Sequence, residues 1–365
     1  MNQRGGAERV FARIAAAWPD APIYTALYDP RAVGDLFPER RIRRSYLARV
    51  PFANRAFRAL APFYPRAFES FDLSAYDTIV SSTTAWAKGV RVPPGAVHVC
   101  YINTVSRFAF AYDEYVGGLQ RTGGGAAGLL ARSVVARLVA WDREAARRPT
   151  RFVANSRNVA ARIATYYGRE CDVLPCPVDL ERFSIGNGGG GYFLVASRLL
   201  PYKRVDLAIR AAAIAGVPLL VAGTGPAERS LRELARGTTT TMLGYVSDER
   251  LAALAGAARA AILPGEEDFG LVPLEAAAAG RPTIAYRAGG ALETILEGKT
   301  GLFFDEPDAR SLAAALSAFD ESRFDARLLR AHAETFSPER FVERLHAIVE
   351  RVRGEHAPAP ADGTA

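Results

Sequence analysis

Two carboxylates eight residues apart, Glu267 and Glu275, stand in the run EEDFGLVPLE. The apolar run 260–263 precedes them, and residues 264–270 read as a loop leaving the C-terminal edge of a sheet. Ligands of open α/β sheets bind at that edge. Pro273 is expected to open a helix through Ala279, ended by Gly280. Its N–H groups would point into the same crevice, which favours a phosphate. A carboxylate accepts two hydroxyl hydrogen bonds side by side, so Glu267 and Glu275 suit a sugar diol or a ribose. The plainer alternative for Glu275 is that it stabilises the helix N-terminus. A second group, Arg198 and Lys203, lies in VASRLLPYKRVDLAI between a strand and a helix. Fixed positive charges there would neutralise a diphosphate and the charge that develops as it departs. No Asp-x-Asp occurs near a strand end, so these cations stand in for a divalent ion and no metal is expected.

Positioning such residues requires a parallel sheet. Apolar runs at 192–196, 218–222, 241–243, 260–263, 283–286 and 301–304 alternate with helical patterns at 205–215, 248–256 and 308–317. Strands and helices of these lengths imply βαβ units covered on both faces. The first half repeats the theme less regularly, with candidate strands at 22–27, 78–81, 97–102 and 151–155. Asn155-Ser156 supplies a helix cap, and His98 falls inside a strand as a core histidine. Nucleotide-binding domains of this kind begin with a strand, a Gly-rich turn and a helix. Here the chain opens on the turn, Gly5-Gly6, and the helix from about Ala7 to Trp18. A strand of five or six residues is expected before Asn2: either the start lies too far downstream or the protein does without it.

At 365 residues the chain predicts two domains. Its 49% hydrophobic and 23% charged content excludes a disordered chain. No apolar run approaches the ~20 residues that span a bilayer, and MNQRGGAERV lacks the pattern of a signal peptide. Cys100, Cys171 and Cys176 read as reduced and buried. These features predict a cytoplasmic protein. The net charge of +7 is uneven: residues 1–150 hold 21 Lys+Arg against 12 Asp+Glu, a local +9 that leaves −2 for the rest. A basic half suggests an anionic partner, although only Lys88, Lys203 and Lys299 are lysines, and arginine-rich codon usage explains the excess equally well. The stretch 40–71 mixes six arginines up to Arg55 with aromatics and prolines. It fits either an anionic membrane surface or an amphipathic helix packed on the sheet.

The run EEDFGLVPLEAAAAGRPTIAY resembles the Glu-x7-Glu signature of glycosyltransferase family 4, a retaining family. The resemblance covers nearly all of residues 4–352. It implies an α/β chain of GT-B architecture, two Rossmann-like domains facing a central cleft, with the first strand of the N-terminal domain missing. The implied division is 1–172 as acceptor-side domain, 173–190 as interdomain linker and 191–336 as donor-binding domain. A helix at 337–353 would cross back to the first domain, and 354–365 would be a disordered tail. By the same resemblance Glu267 faces the transferred hexose, Phe269 and Gly270 offer backbone amides to it, and Glu275 holds the ribose. Glu267, Arg198 and Lys203 form the catalytic set. Gly5, Gly6, Tyr245, Val246, Asp268 and Leu271 complete the donor contacts, while Asn103 and Arg107 stand on the acceptor side. Related sequences read His-Thr-Pro-x-Arg where this chain has Asn103-Thr104-Val105-Ser106-Arg107, so a titratable group beside the sugar is lost. Lys88 also matches a recurring position.

The fuller pattern, with AKGV and AYRAGGALETI, is most similar to mannosyltransferases that build lipid-linked polysaccharides. It implies GDP-mannose as donor and substrate, no cofactor, and an undecaprenyl-diphosphate-linked saccharide as acceptor, with peripheral contact at the inner face of an anionic membrane. The alternatives are a UDP-sugar transferase of the same fold, or a weakened sugar-nucleotide-binding protein, suggested by Asn103. No module for nucleic acid is present.

Overall fold

Phe193–Ala196 and Ala260–Leu263 are short apolar runs. Such runs persist as strands only where both faces of a sheet are covered. A computed structural model of the protein describes residues 1, 5–106 and 126–356; Arg107 and residues 357–365 lie outside them. The chain divides into two compact units, Met1–Pro175 with Val342–Ala365, and Cys176–Phe341.

In the first unit, β1 (Ile23–Thr25) and β2 (Ile42–Arg44) form a two-stranded parallel sheet. A separate parallel sheet has the order β3 (Thr78–Thr83), β4 (Val97–Ile102), β5 (Arg151–Ala154), β6 (Cys171–Val173). All six residues of β4 are buried. The helix Gly6–Ala17 buries Val10 and Ile14, one turn apart on one face. Ser156 Oγ accepts the Val159 N–H at 3.0 Å and starts the helix Arg157–Tyr167.

The second unit holds six parallel strands: β7 (Phe193–Ala196), β8 (Leu219–Ala222), β9 (Thr240–Gly244), β10 (Ala260–Leu263), β11 (Thr283–Tyr286) and β12 (Gly301–Phe304). Their spatial order is β12-β11-β10-β7-β8-β9. Sequence order therefore reverses between β7 and β10, the topological switch point of a doubly wound sheet. Each unit is thus a parallel, Rossmann-like α/β body.

Three segments show detail beyond the expectation. Within the expected linker 173–190, Gly186, Gly188 and Gly190 donate to the carbonyls of Ala279, Gly256 and Ala257 at 3.0–3.2 Å. The last helix runs Pro338–His356, so residues 354–356 are helical, and it enters the first unit at Val342. Its Arg351 pairs with Asp172 at 2.7 Å. The helix after Glu267 spans Leu271–Ala278, beginning two residues before Pro273. Proline is tolerated there because the first turn leaves its N–H positions unbonded. Glu275 is then the fifth residue of the helix, beyond its first turn.

Candidate functional site

The loops after β7 and β10 leave the two strands that flank the switch point, and both carry the predicted charges. Behind β7, Ser197-Arg198-Leu199 is fixed from below by the loop after β8. Leu199 N–H donates to Thr224 O at 2.9 Å, and a Cβ on Gly225 would lie 2.5 Å from the Leu199 carbonyl oxygen. Gly223, at φ +138°, packs still more closely on the Ser197 carbonyl oxygen, in a backbone conformation that only glycine adopts without strain. Arg198 is exposed.

The chain then forms a single 3₁₀ turn, Pro201–Lys203, and passes through Arg204 at φ +52° into the helix Val205–Ala215. That turn rests on the loop after β10. A Cβ on Gly265 would meet the Tyr202 carbonyl oxygen at 2.7 Å. The approach brings Lys203 Nζ onto the Glu267 carboxylate as a partly buried ion pair.

Residues 267–270 are held in turn by the Gly289-Gly290 turn. Gly290 N–H donates to Glu267 O at 2.8 Å, and a Cβ on Gly290 would sit 2.5 Å from the carbonyl carbon of Phe269. The Phe269 ring is buried against Phe336, with centroids 6.3 Å apart. Gly270, at φ +85°, is the N-cap of the helix Leu271–Ala278 and has no side-chain hydrogen bond to its first turn. The Phe269 ring thus anchors the loop.

Glu275 is partnered by Arg182, whose Nη1 lies 3.4 Å from Glu275 Oε1 and whose Nη2 lies 3.0 Å from Asp248 Oδ1. Asp248 opens the helix Asp248–Ala257, just beyond β9 and the Tyr245-Val246 loop. Tyr245 is 80% exposed. Arg182 was not among the predicted residues. It precedes its partners by 66 and 93 residues, and nothing local in DLERF distinguishes it from a surface arginine.

In the first unit the Gly5-Gly6 turn is already occupied by an acid. Glu8 Oε2 accepts the Gly5 N–H at 3.2 Å, so a phosphate there would compete with a carboxylate. Asn103 follows β4 and donates to Ser82 Oγ at 3.0 Å; its carbonyl accepts from Asn155 Nδ2 at 2.9 Å. Lys88 is only 1% exposed and pairs with Asp142, fully buried, at 2.5 Å. Ser106 Oγ and Tyr167 OH also donate to Asp142, at 2.5 and 2.8 Å. Burial pulls the Lys88 ammonium below its ordinary pKa, against the opposing pull of Asp142. Its place is internal: the network ties the loop after β4 to the helix Ala126–Ala145. His98, also fully buried, bonds Ser81 Oγ at 2.7 Å. Desolvation lowers its pKa to about 3, which keeps it a neutral core group. No group of three or more potential metal ligands occurs among the described residues.

Residues 4–182 match the family model described as Glycosyltransferase Family 4, and residues 177–334 match the one described as Glycosyl transferases group 1. The two halves of the chain thus each match a glycosyltransferase family model. Similar curated proteins include the D-inositol 3-phosphate glycosyltransferase of Geodermatophilus obscurus, 33% identical over 57% of this chain and 54% of that protein. The namesake of Mycobacterium tuberculosis (strain H37Ra) is 30% identical over 56% and 49%. The chain thus spans about half the length of these relatives. Among solved structures, Anabaena Alr3699/HepE with UDP and glucose has a TM-score of 0.67 at 18% identity, covering 96% of this chain and 97% of that one. Sucrose-phosphate synthase of Thermosynechococcus elongatus has a TM-score of 0.68 at 19% identity, covering 95% and 92%. These likenesses show the GT-B fold. Among the described residues no helix is long and apolar enough to cross a membrane.

Proposed function

We propose that this glycosyltransferase moves a hexose from a nucleoside diphosphate sugar to an acceptor hydroxyl with retention of configuration. The observation that carries the reading is the Lys203–Glu267 pair at the switch point, with Arg198 on the same loop and the Arg182–Glu275 pair on the following helix. An arriving diphosphate draws Lys203 and Arg198 to its oxygens, and Glu267 is released to accept hydroxyl hydrogens of the sugar. Glu275 takes the ribose diol, and backbone amides of Phe269 and Gly270 fix the hexose. The bond from the anomeric carbon to the diphosphate oxygen breaks, and the acceptor oxygen bonds that carbon on the same face. The acceptor proton passes to the departing diphosphate, so no side chain need titrate where Asn103 replaces histidine.

The donor is GDP-mannose in this reading, supported by the sequence pattern of mannosyltransferases. A UDP-sugar donor is the second reading, because the Anabaena relative was solved with UDP and with UDP-glucose. Thermal stabilisation by GDP exceeding that by UDP supports the first, and stabilisation by UDP alone overturns it.

A lipid-linked saccharide at an anionic membrane is the proposed acceptor. Phe52 is 75% exposed at φ +58°, Phe63 and Tyr46 are exposed beside it in sequence and joined by a Tyr46 OH to Phe63 O bond of 3.4 Å, and Arg43, Arg44, Arg49, Arg55 and Arg58 are exposed in the same segment. Exposed aromatics with arginines suit an anionic interface. Co-sedimentation with anionic vesicles, lost in Phe52→Ser/Phe63→Ser, tests it; equal sedimentation of both proteins contradicts it.

A further inference from the structure

Arg182 and Glu275 meet from segments 93 residues apart in the chain, so the spacing of two backbones decides whether they pair. Arg182 contributes little to that spacing itself. Its guanidinium stacks on the neighbouring Phe183 ring at 5.1 Å, and its Nε is buried without a hydrogen-bond partner among the described residues. Its contact with Glu275, at 3.4 Å, is long for a hydrogen bond. A further separation of a few tenths of an ångström between the two segments would break it.

Both segments are anchored on one side chain, Arg330 of the helix Ala326–Glu334. Its Nη1 lies against three backbone carbonyls: Phe183 at 2.6 Å, Ala278 at 3.1 Å and Leu180 at 3.2 Å. Leu180 opens the 3₁₀ turn that ends at Arg182, and Phe183 follows it, so the two carbonyls bracket Arg182. Ala278 is the last residue of the helix Leu271–Ala278, one turn beyond Glu275. A helix C-terminus leaves carbonyls without intrahelical donors and favours a cation. Glu334, one turn along from Arg330, accepts from its Nε at 3.1 Å and fixes the guanidinium.

We infer that Arg330 is a positioning residue for the nucleoside end of the donor: it sets the distance between the turn bearing Arg182 and the helix bearing Glu275, and acts through that pair. The inference rests on the reading that Glu275 takes the ribose diol. The diphosphate end, read as held by Arg198 and Lys203 on the loop after β7, does not share this anchor. Methionine at position 330 keeps an unbranched stem but offers no donor to the three carbonyls.

Calorimetry on the full chain tests this, with inorganic pyrophosphate and whichever of GDP and UDP the wild type binds more tightly as probes. Arg330→Met should raise the nucleotide Kd about tenfold and leave the pyrophosphate Kd within about twofold. In an Arg182→Met background the same substitution should add less than about twofold, because the pair it positions is already gone. Arg281→Met controls for general loosening. Arg281 also clamps two carbonyls, Gly256 at 3.1 Å and Gly186 at 2.6 Å, at the end of the helix Asp248–Ala257 away from Asp248. It should leave the nucleotide Kd unchanged. Urea unfolding checks that each variant is folded, and Arg330→Gln, too short to reach the carbonyls, carries the same expectations should Arg330→Met not fold. A nucleotide Kd unchanged in the Arg330 variant beside a raised one in Glu275→Ala would overturn the inference alone. So would equal weakening of both probes, or equal effects of the Arg330 and Arg281 variants. An unchanged nucleotide Kd in Glu275→Ala would remove the ribose reading, and the inference with it.

Discussion

Replacing Gly290 by alanine tests the geometry of the loop proposed to bind the sugar. Gly290 has φ −69° and ψ −14°, a conformation alanine adopts freely, so the backbone carries no penalty. The added Cβ, however, would lie 2.5 Å from the Phe269 carbonyl carbon and closer still to its Cα and oxygen. Carbon atoms need ~3.5 Å, so residues 267–270 must withdraw by at least about 1 Å. Overpacking of this kind costs ~1–3 kcal/mol, and a displacement of that size at reacting groups costs ~10²-fold in rate. Gly298→Ala is the control, since Gly298 sits at φ +73° in open space; it should cost ~1–2 kcal/mol of backbone strain and leave turnover alone. Urea unfolding and steady-state donor turnover of both variants make the comparison. Turnover in Gly290→Ala within about twofold of wild type would refute the view that the Gly289-Gly290 turn sets the loop.

Lys88→Met strands the Asp142 carboxylate in the interior and should destabilise by ~3–5 kcal/mol in urea unfolding; a loss under ~1 kcal/mol would show the pair is not needed. His98 is neutral in the folded state, with a pKa near 3 against 6.5 when exposed. The unfolded chain therefore binds the extra proton, and stability falls as pH drops below about 6.5, by up to ~1.4 kcal/mol per pH unit from this group. His98→Gln should reduce that slope between pH 6.5 and 5, and an unchanged slope would place the proton uptake elsewhere. Arg182→Met removes a charged bond to Glu275 worth ~1.5–3 kcal/mol, so nucleotide Kd measured by calorimetry should rise ~10-fold or more; an unchanged Kd would reduce Arg182 to a structural role.

The strands of the second unit were readable because each is a short apolar run bounded by turn residues: Ala260–Leu263, Thr283–Tyr286 and Gly301–Phe304 match residue for residue. β2 was not. Its Ile42-Arg43-Arg44 exposes both arginines, so it carries neither alternation nor an apolar run. β6 was hidden for a related reason, being three half-buried residues at a sheet edge. The helix start at Leu271 was missed because Pro273 marked a plausible first position, while the left-handed Gly270 set the boundary. Candidate site residues were legible where the charge stands in its own loop, as with Glu267 and Lys203, which the structure pairs. Arg182 acts through partners far along the chain, and Gly265 and Gly290 act by leaving room for another segment. Neither kind of information exists in a local window of sequence.

The central claim is that two carboxylates on one loop and helix serve opposite ends of a single donor. Measuring nucleoside diphosphate affinity and sugar transfer for Glu267→Ala and Glu275→Ala side by side tests it most directly. The account predicts that Glu267→Ala binds nucleotide normally and transfers no sugar, whereas Glu275→Ala weakens nucleotide binding itself. Normal transfer by both variants would contradict it.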